Sequence, residues 1–369
     1  MSKFSIYRNE LLKPLQVVTG IVERRHTLPI LSNVLLRSKE KNLELIATDL
    51  EIQIATAEKT TESLPEMEMT ISARKLQDIL RSLPEKCSIS IESNESKAVL
   101  RAGKSRFNLQ TLPVKDFPLI KQQPKGSIEK ITIQQGILKN MLQQVQYAMA
   151  QQDIRYYLNG LLLVCEEKNI TLVATDGHRL CHISTEVAQK ISNISVIVPR
   201  KTVLELVKLL SDDDTPVEIQ ITENQISTNF SGITLDSKLV DGNFPDYKRV
   251  IPTNLNNELE IEKEALQQAL QRASILSNEK FRGVRWVLTK DKLKIVCNNT
   301  EQEEAEEELE VDYSGEPIDI GFNVNYLLDC LNNLSIEKVK CQLGDSNTSM
   351  LITVEKDSSF KYVVMPMRI

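Results

Sequence analysis

Asp176 and His178 stand two residues apart in Thr175-Asp-Gly-His-Arg-Leu180, and a carboxylate beside an imidazole is the pairing that general acid–base chemistry needs. Little else in the sequence supports catalysis. The other two histidines, His26 and His182, form no metal-ligand spacing, and neither G-x-S-x-G nor G-x-G-x-x-G occurs. Gly103-Lys104-Ser105 copies the end of a phosphate-binding loop, but position 98 is Ala where that motif requires Gly, and the segment reads as a hairpin. The six cysteines include no C-x-x-C pair and mostly lie in apolar runs such as Leu161-Leu-Leu-Val-Cys165, so they are expected to be reduced core thiols. Neither a cofactor nor a metal is expected.

The remaining chemistry is that of binding. Arg155-Tyr156-Tyr157 sets two aromatic rings beside a guanidinium, which suits stacking on an exposed nucleic-acid base; the same run also reads as a strand start with half-buried aromatics. Lys13, Arg24, Arg25, Arg74, Lys75, Lys139, Arg200, Lys201 and Arg272 are scattered over or beside helical segments, as phosphate contacts that read no bases would be. Glu10, Asp78 and Glu205 share those helices, so an ordinary solvated face is the alternative. Met365-Pro-Met-Arg368 offers thioethers that repack easily around different apolar ligands. A net charge of -6 argues against a protein that holds DNA by bulk charge, though not against a closed ring that holds it by topology.

These groups are carried by elements that recur. Phe4-Ser-Ile-Tyr followed by a helix over 11–22, Ile131-Thr-Ile followed by 138–150, and Leu259-Glu-Ile followed by 266–276 start 127 and 128 residues apart. Leu11/Leu15/Val18/Val22, Leu138/Leu142/Val145/Met149 and Leu266/Leu270/Ala273 keep helical spacing, which predicts one buried face on each helix. A second helix recurs at 73–83, 199–210 and 323–334, with Pro199 as a natural first-turn residue. Ala47-Thr-Asp49 and Ala174-Thr-Asp176, and likewise Phe117-Pro and Phe244-Pro, repeat the 127-residue spacing between strand pairs. So long a period signals triplicated domains and not a solenoid, whose repeats run about 20 to 50 residues. The boundaries fall in polar connectors, giving domains 1–126, 127–255 and 256–369, each α+β with two helices packed on antiparallel sheets. At 41% hydrophobic and 26% charged, with no apolar run near 18 residues and no signal-peptide core, the chain is expected to be a globular cytoplasmic protein without a membrane span.

Arg155-Tyr-Tyr-Leu-Asn-Gly160, Thr175-Asp-Gly-His-Arg-Leu180, Ser277-Asn-Glu-Lys-Phe-Arg-Gly-Val-Arg285, Gly321-Phe-Asn-Val324 and the terminal Val364-Met-Pro-Met-Arg-Ile369 together resemble the bacterial β sliding clamps, the processivity rings of DNA polymerase III. The resemblance begins at Leu11-Leu-Lys-Pro-Leu15 and runs the length of the chain. It implies a head-to-tail homodimer that makes a ring of six such domains, with helices lining the hole and sheets outside. It also implies sequence-independent binding of double-stranded and primed DNA, and capture of the polymerase III α subunit, a clamp loader, other polymerases and repair proteins through short peptides.

By the same resemblance, Arg25, Arg74, Gln152, Tyr156 and Tyr157 are expected to meet DNA, and of the helical cations Arg200 and Lys201 are expected to join them. Leu158, Thr175, Gly177, His178, Arg179, Leu180, Pro245, Val250, Val363 and Met365 are expected to form one apolar peptide subsite, and Asn323, Tyr326, Ser349, Pro366, Met367 and Arg368 its neighbour. Lys75, Lys104, Arg106, Phe107 and Leu109 are expected to face Ile275, Leu276, Glu303 and Glu304 of a second copy. The chain departs from the usual pattern at His26, where a proline is common, and at Asn347, where an apolar residue is usual. Two alternatives to the ring remain: a monomeric DNA-binding adapter of the same fold, and a hydrolase or transferase using Asp176 and His178.

Overall fold

A computed structural model describes residues 2–23, 28–93, 96–120, 129–253, 255–354 and 357–368. The first repeat runs β1 (Ser2–Tyr7), α1 (Arg8–Val18), β2 (Asn33–Thr48), β3 (Ile52–Ser72), α2 (Ala73–Ser82), β4 (Ser88–Ser93), β5 (Lys97–Ala102) and β6 (Ser105–Gln110). The second gives the same order: β7 (Glu129–Gln134), α3 (Gln135–Gln146), β8 (Gly160–Thr175), β9 (Arg179–Pro199), α4 (Arg200–Leu209), β10 (Pro216–Ile221), β11 (Gln225–Phe230) and β12 (Ile233–Lys238). A short helix α5 (Tyr247–Val250) precedes the third, which runs β13 (Asn257–Glu262), α6 (Lys263–Ser274), β14 (Gly283–Thr289), β15 (Lys292–Asn298), β16 (Glu304–Glu310), β17 (Ile318–Asn323), α7 (Val324–Asn332), β18 (Lys338–Leu343), β19 (Met350–Val354) and β20 (Asp357–Val364). Where β3 and β9 are single strands of 21 residues, the third repeat divides the same stretch into β16 and β17.

The expected helical faces are buried: Leu11, Leu15 and Val18 on α1, Leu138, Leu142 and Val145 on α3, and Leu266, Leu270 and Ala273 on α6. Each leucine so placed contributes about 1.5–3 kcal/mol of apolar burial. Helix boundaries shift slightly from the sequence reading. Val22 and Met149 are buried beyond the ends of α1 and α3, and Pro199 closes β9 one residue before α4 instead of opening the helix. Gly103 turns β5 into β6 at φ +56°, so Gly103-Lys-Ser belongs to a hairpin and not to a phosphate loop.

The chain packs as two compact units, residues 1–137 with 204–239, and residues 138–203 with 240–369. The expected boundary at 126/127 lies outside the described residues. In the first unit, one sheet has the order β1-β4-β5-β6 and the other the order β2-β3-β12-β11-β10-β7. In the second, the orders are β13-β18-β19-β20-β9-β8 and β16-β15-β14-β17. All strand pairs among the described residues are antiparallel. Two of them join successive repeats: β3 takes β12 as neighbour, with Ile52 opposite Ser237, and β9 takes β20, with Arg179 opposite Val364. Among the described residues, edges β6 and β16 have a strand on one side only.

Candidate peptide and nucleic-acid site

The β8–β9 turn is built by its own polar side chains. Asp176 Oδ1 accepts the backbone N–H groups of His178 and Arg179 (2.9 and 3.1 Å), and Thr175 Oγ1 accepts that of Gly177 while donating to the Arg179 carbonyl (3.1 and 2.6 Å). The β2–β3 turn repeats this pattern 127 residues earlier, with Asp49 Oδ1 taking the N–H groups of Glu51 and Ile52 and Thr48 Oγ1 that of Leu50. Leu50 holds φ +81° where Gly177 holds +90°. The first turn has no histidine, so the aspartate serves the turn itself. In the second turn the remaining Asp176 oxygen accepts from Arg179 Nε at 3.1 Å, so both carboxylate oxygens hold the turn. In the third repeat Asn299 Oδ1 takes the N–H groups of Glu301 and Glu303, one residue wider, with Gln302 at φ +64°.

Each of the first two turns is closed by the strand of the following repeat. Lys238 donates its backbone N–H to the Glu51 carbonyl, and Met365 donates to that of His178, both at 2.9 Å. At Lys238 the chain continues; at Met365 it runs into Pro366, Met367 and Arg368, with the Met367 N–H on the Gly321 carbonyl at 2.9 Å. Thus Thr175-Asp-Gly-His-Arg-Leu180 and Val363 to Arg368, far apart in sequence, meet.

Leu180 and Val363 lie opposite each other on β9 and β20 and share a core cluster with Leu162, Val173, Ile197 and Leu351, against which Tyr157, Phe244, Tyr247 and Ile251 pack. Above it His178, Pro245, Val250 and Met365 are exposed, while Leu158 is fully buried. Tyr326 lies under Arg179, whose guanidinium is 4.4 Å from the ring centroid, and Asn323 caps α7 by accepting the Asn325 N–H. Ser349 is half-buried before β19, and Asn347 is exposed with its N–H on Asp345.

Arg179 ties these parts together. Beyond Asp176 it reaches Asp329 Oδ2 and the Tyr147 carbonyl, each at 2.6 Å, with a side chain only 9% exposed. Burial opposes its charge, but the Tyr362 oxygen, Asp329 and Asp176 outweigh that and hold its proton more tightly than in a free arginine. Arg155 braces the turn from outside: it hydrogen-bonds Asp153 through Nε and Nη2 and gives Nη2 to the Asp176 carbonyl at 3.1 Å. Those bonds to Arg155 pull the Asp153 carboxyl down to about 2. A side chain at Gly177 would bring its Cβ within 2.8 Å of Arg155 Nη1, so the guanidinium would have to shift from the turn it braces to admit one. Tyr147, Asp153 and Asp329 were not singled out in the sequence; only Asp153, two residues before Arg155, had a local signal.

The residues expected to meet DNA are placed separately. Arg25, with Arg24 and His26, lies outside the described residues. Arg74 is exposed on α2 and donates to the Val22 carbonyl at 2.7 Å. Gln152 (φ +56°) and Ile154, 96% exposed, lead into a single 3-10 turn over Tyr156–Leu158, so the strand starts at Gly160 and not at Arg155. Tyr156 is 56% exposed and edge-on to Tyr157 at 5.9 Å between centroids. Arg200 donates to the Met149 carbonyl at 3.2 Å, and burial, with Arg179 nearby, pulls its pKa down; Lys201 is half-buried. Arg272 is taken up by a two-pronged ion pair with Glu307.

Arg106 is exposed and Phe107 and Leu109 half-buried on edge strand β6, Lys104 is exposed in the turn before it, and Lys75 is exposed on α2. Ile275 is 76% exposed just past α6, with Leu276 half-buried beside it. The acidic strand β16 is partly matched within its own unit: Lys292 pairs with Glu308, Lys294 with Glu306 and Arg272 with Glu307. Glu303 accepts from Asn299, and Glu304 is exposed. All six cysteines are free thiols and all but Cys87 are buried, with burial pushing Cys181 and Cys341 up to about 12. Among the described residues no group of three or more metal-ligating side chains converges, and no helix is long and apolar enough to cross a membrane.

Repeats joined through shared sheets, with the last strand delivering the C-terminus to the turn of the repeat before it, define a triplicated α+β protein of the clamp type. Models of the DNA polymerase III beta subunit match the N-terminal domain at residues 2–121, the central domain at 132–246 and the C-terminal domain at 248–368. The chain belongs to the DNA polymerase III beta subunit family. It is 47% identical over 368 residues to the Beta sliding clamp of Pseudomonas putida, covering 99% of this chain and 100% of that one. It is 46% identical over 367 residues to that of Escherichia coli, covering 100% of both. Among solved structures, the DNA polymerase III subunit beta of Pseudomonas aeruginosa superposes with a TM-score of 0.95 at 46% identity over 99% of this chain and 100% of that one. A sliding clamp of the same organism bound to griselimycin gives 0.96 at 45% identity over 100% of both.

Proposed function

We propose that this chain is a sliding clamp: two copies close head to tail into a ring of six repeats that encircles duplex DNA and tethers the replicative polymerase. The carrying observation is the seam. β12 completes the sheet of β3 and β20 that of β9, while β6, the counterpart of β12 and β20, and β16, the counterpart of part of β3 and β9, keep open edges. A second copy placed by the same rule sets β6, with Lys75, Lys104, Arg106, Phe107 and Leu109, against β16, with Ile275, Leu276, Glu303 and Glu304. Basic and acidic edges then meet in a heterologous contact that closes after two subunits.

Arg25, Arg74, Gln152, Tyr156, Tyr157, Arg200 and Lys201 are proposed to touch DNA, with the tyrosines stacking at a primer end. Leu158, Thr175, Gly177, His178, Arg179, Leu180, Pro245, Val250, Val363 and Met365, continued by Asn323, Tyr326, Ser349, Pro366, Met367 and Arg368, are proposed to seat a short apolar peptide of each client, among them the polymerase III α subunit, the clamp loader and other polymerases and repair proteins. Two or three anchors at about 1.5–3 kcal/mol each, less ordering costs, give weak to roughly micromolar binding, as exchange of clients requires. Tethering raises the effective concentration of polymerase at the primer end and needs no catalytic group, cofactor or metal of the clamp's own. The protein works in the cytoplasm. Retention on DNA tests the reading: the loaded protein should stay on circular DNA and leave when that DNA is linearised. Equal retention on both would instead support a monomeric adapter.

A further inference from the structure

The last two residues proposed for the peptide pocket, Met367 and Arg368, also border a cleft that continues away from it. Asn278 and Phe281 after α6, Asn298 and Asn299 at the end of β15, and Met367 and Arg368 line a cleft of about 260 Å³. Its polar groups are chiefly unused donors. Asn278 Oδ1 accepts the N–H groups of Lys280 and Phe281 (3.0 and 3.1 Å), which leaves its NH2 group without a partner among the described residues. Asn298 and the Arg368 guanidinium likewise have no side-chain partner among them, and both are exposed. Asn299 is the exception, its amide donating to Glu303 at 2.7 Å, which also occupies that carboxylate. Phe281 is 57% exposed with Lys280 Nζ 5.4 Å from its ring centroid, so an apolar wall and a second cation border the donors.

An arginine and two amide groups beside an aromatic ring form a site for a carboxylate on a short apolar stem. The tail supplies the register. Met365 is pinned to His178 and Met367 to Gly321, so Arg368 stands three residues from Met365, roughly 10 Å along an extended chain. We propose that this cleft receives a carboxylate of the client peptide about three to five residues from the residue seated beside His178 and Met365. The proposal rests on the peptide-docking reading above.

The test is fluorescence anisotropy on the full chain, using fluorescent peptides that share one apolar anchor sequence. They carry either Glu or Gln at each position about three to five residues to either side, with a free or amidated C-terminus. At one position the Glu peptide should bind about three- to fivefold tighter than its Gln twin, with the advantage shrinking as salt rises. Persistence in the amidated peptide assigns the site to a side-chain carboxylate; an advantage that follows only the free terminus assigns it to the terminal one. The preference should fall to about one in Arg368→Gln and reverse in Asn298→Asp, where a like charge is added. A preference of undiminished size in both variants, or none at any position while the Gln peptides still bind, overturns the proposal. Failure of every peptide to bind the unaltered chain overturns the peptide-pocket reading instead.

Discussion

Arg179 is the residue on which the β8–β9 turn depends, because it spends its donors on two carboxylates and a carbonyl while its plane rests on Tyr326. Arg179→Ala strands the Asp176 and Asp329 carboxylates, which are 17% and 42% exposed, so the cost is below that of a fully buried pair, about 2–3 kcal/mol in urea unfolding. His182 offers a pH test. Burial, with Lys361 and Lys248 nearby, lowers its pKa from 6.5, while Nδ1 faces the Ser359 carbonyl at 3.2 Å and its ring packs near Tyr247. The unfolded chain therefore takes up the proton first, and the stability present above pH 6.5 is lost as the pH falls below it toward the folded value. Unfolding free energy should drop as the pH falls through and below 6.5, and His182→Gln should flatten that drop. In the sequence His178 was legible as part of a motif; Asp329, 150 residues from Arg179, was not, because an ion pair that long in sequence leaves no periodic trace.

At the scale of elements, the repeated helices were legible because their apolar positions follow the helical period and all of them are buried. Strand ends and partners were less so. Arg155-Tyr-Tyr reads as a strand by aromatic content, yet the Asp153–Arg155 bonds and the Asn159 amide on the Asp153 carbonyl curl it into a 3-10 turn. The pairing of β3 with β12 and β9 with β20 had no local signal, since a strand's pattern tells which face is buried and not which strand lies beside it. The open edges carry the next prediction. With Ile275 exposed beside Leu276, replacing both with Ala should give folded monomers in sedimentation velocity with an unchanged circular dichroism spectrum. A dimer that persists would remove this edge from the proposed interface.

For the molecule as a whole, the repeat of the sequence is not the unit of packing, because the second repeat gives β7 and β10–β12 to one compact unit and β8 and β9 to the other. A fragment spanning 129–246 would keep neither β3 nor β20 as neighbour. It should show no cooperative thermal transition by circular dichroism, whereas the full chain should. The same seams set the timing of synthesis. β3 leaves the ribosome about 180 residues before β12 and β9 about as long before β20, which at about 5–20 residues per second leaves each edge uncovered for roughly 10 to 35 s. The outermost hydrogen-bonding groups of a half-made chain are thus those most open to a neighbouring nascent chain, and the waiting segment Ile52–Thr56 carries no charged residue to deter such pairing; the charges of β3 begin just beyond it, at Glu58 and Lys59.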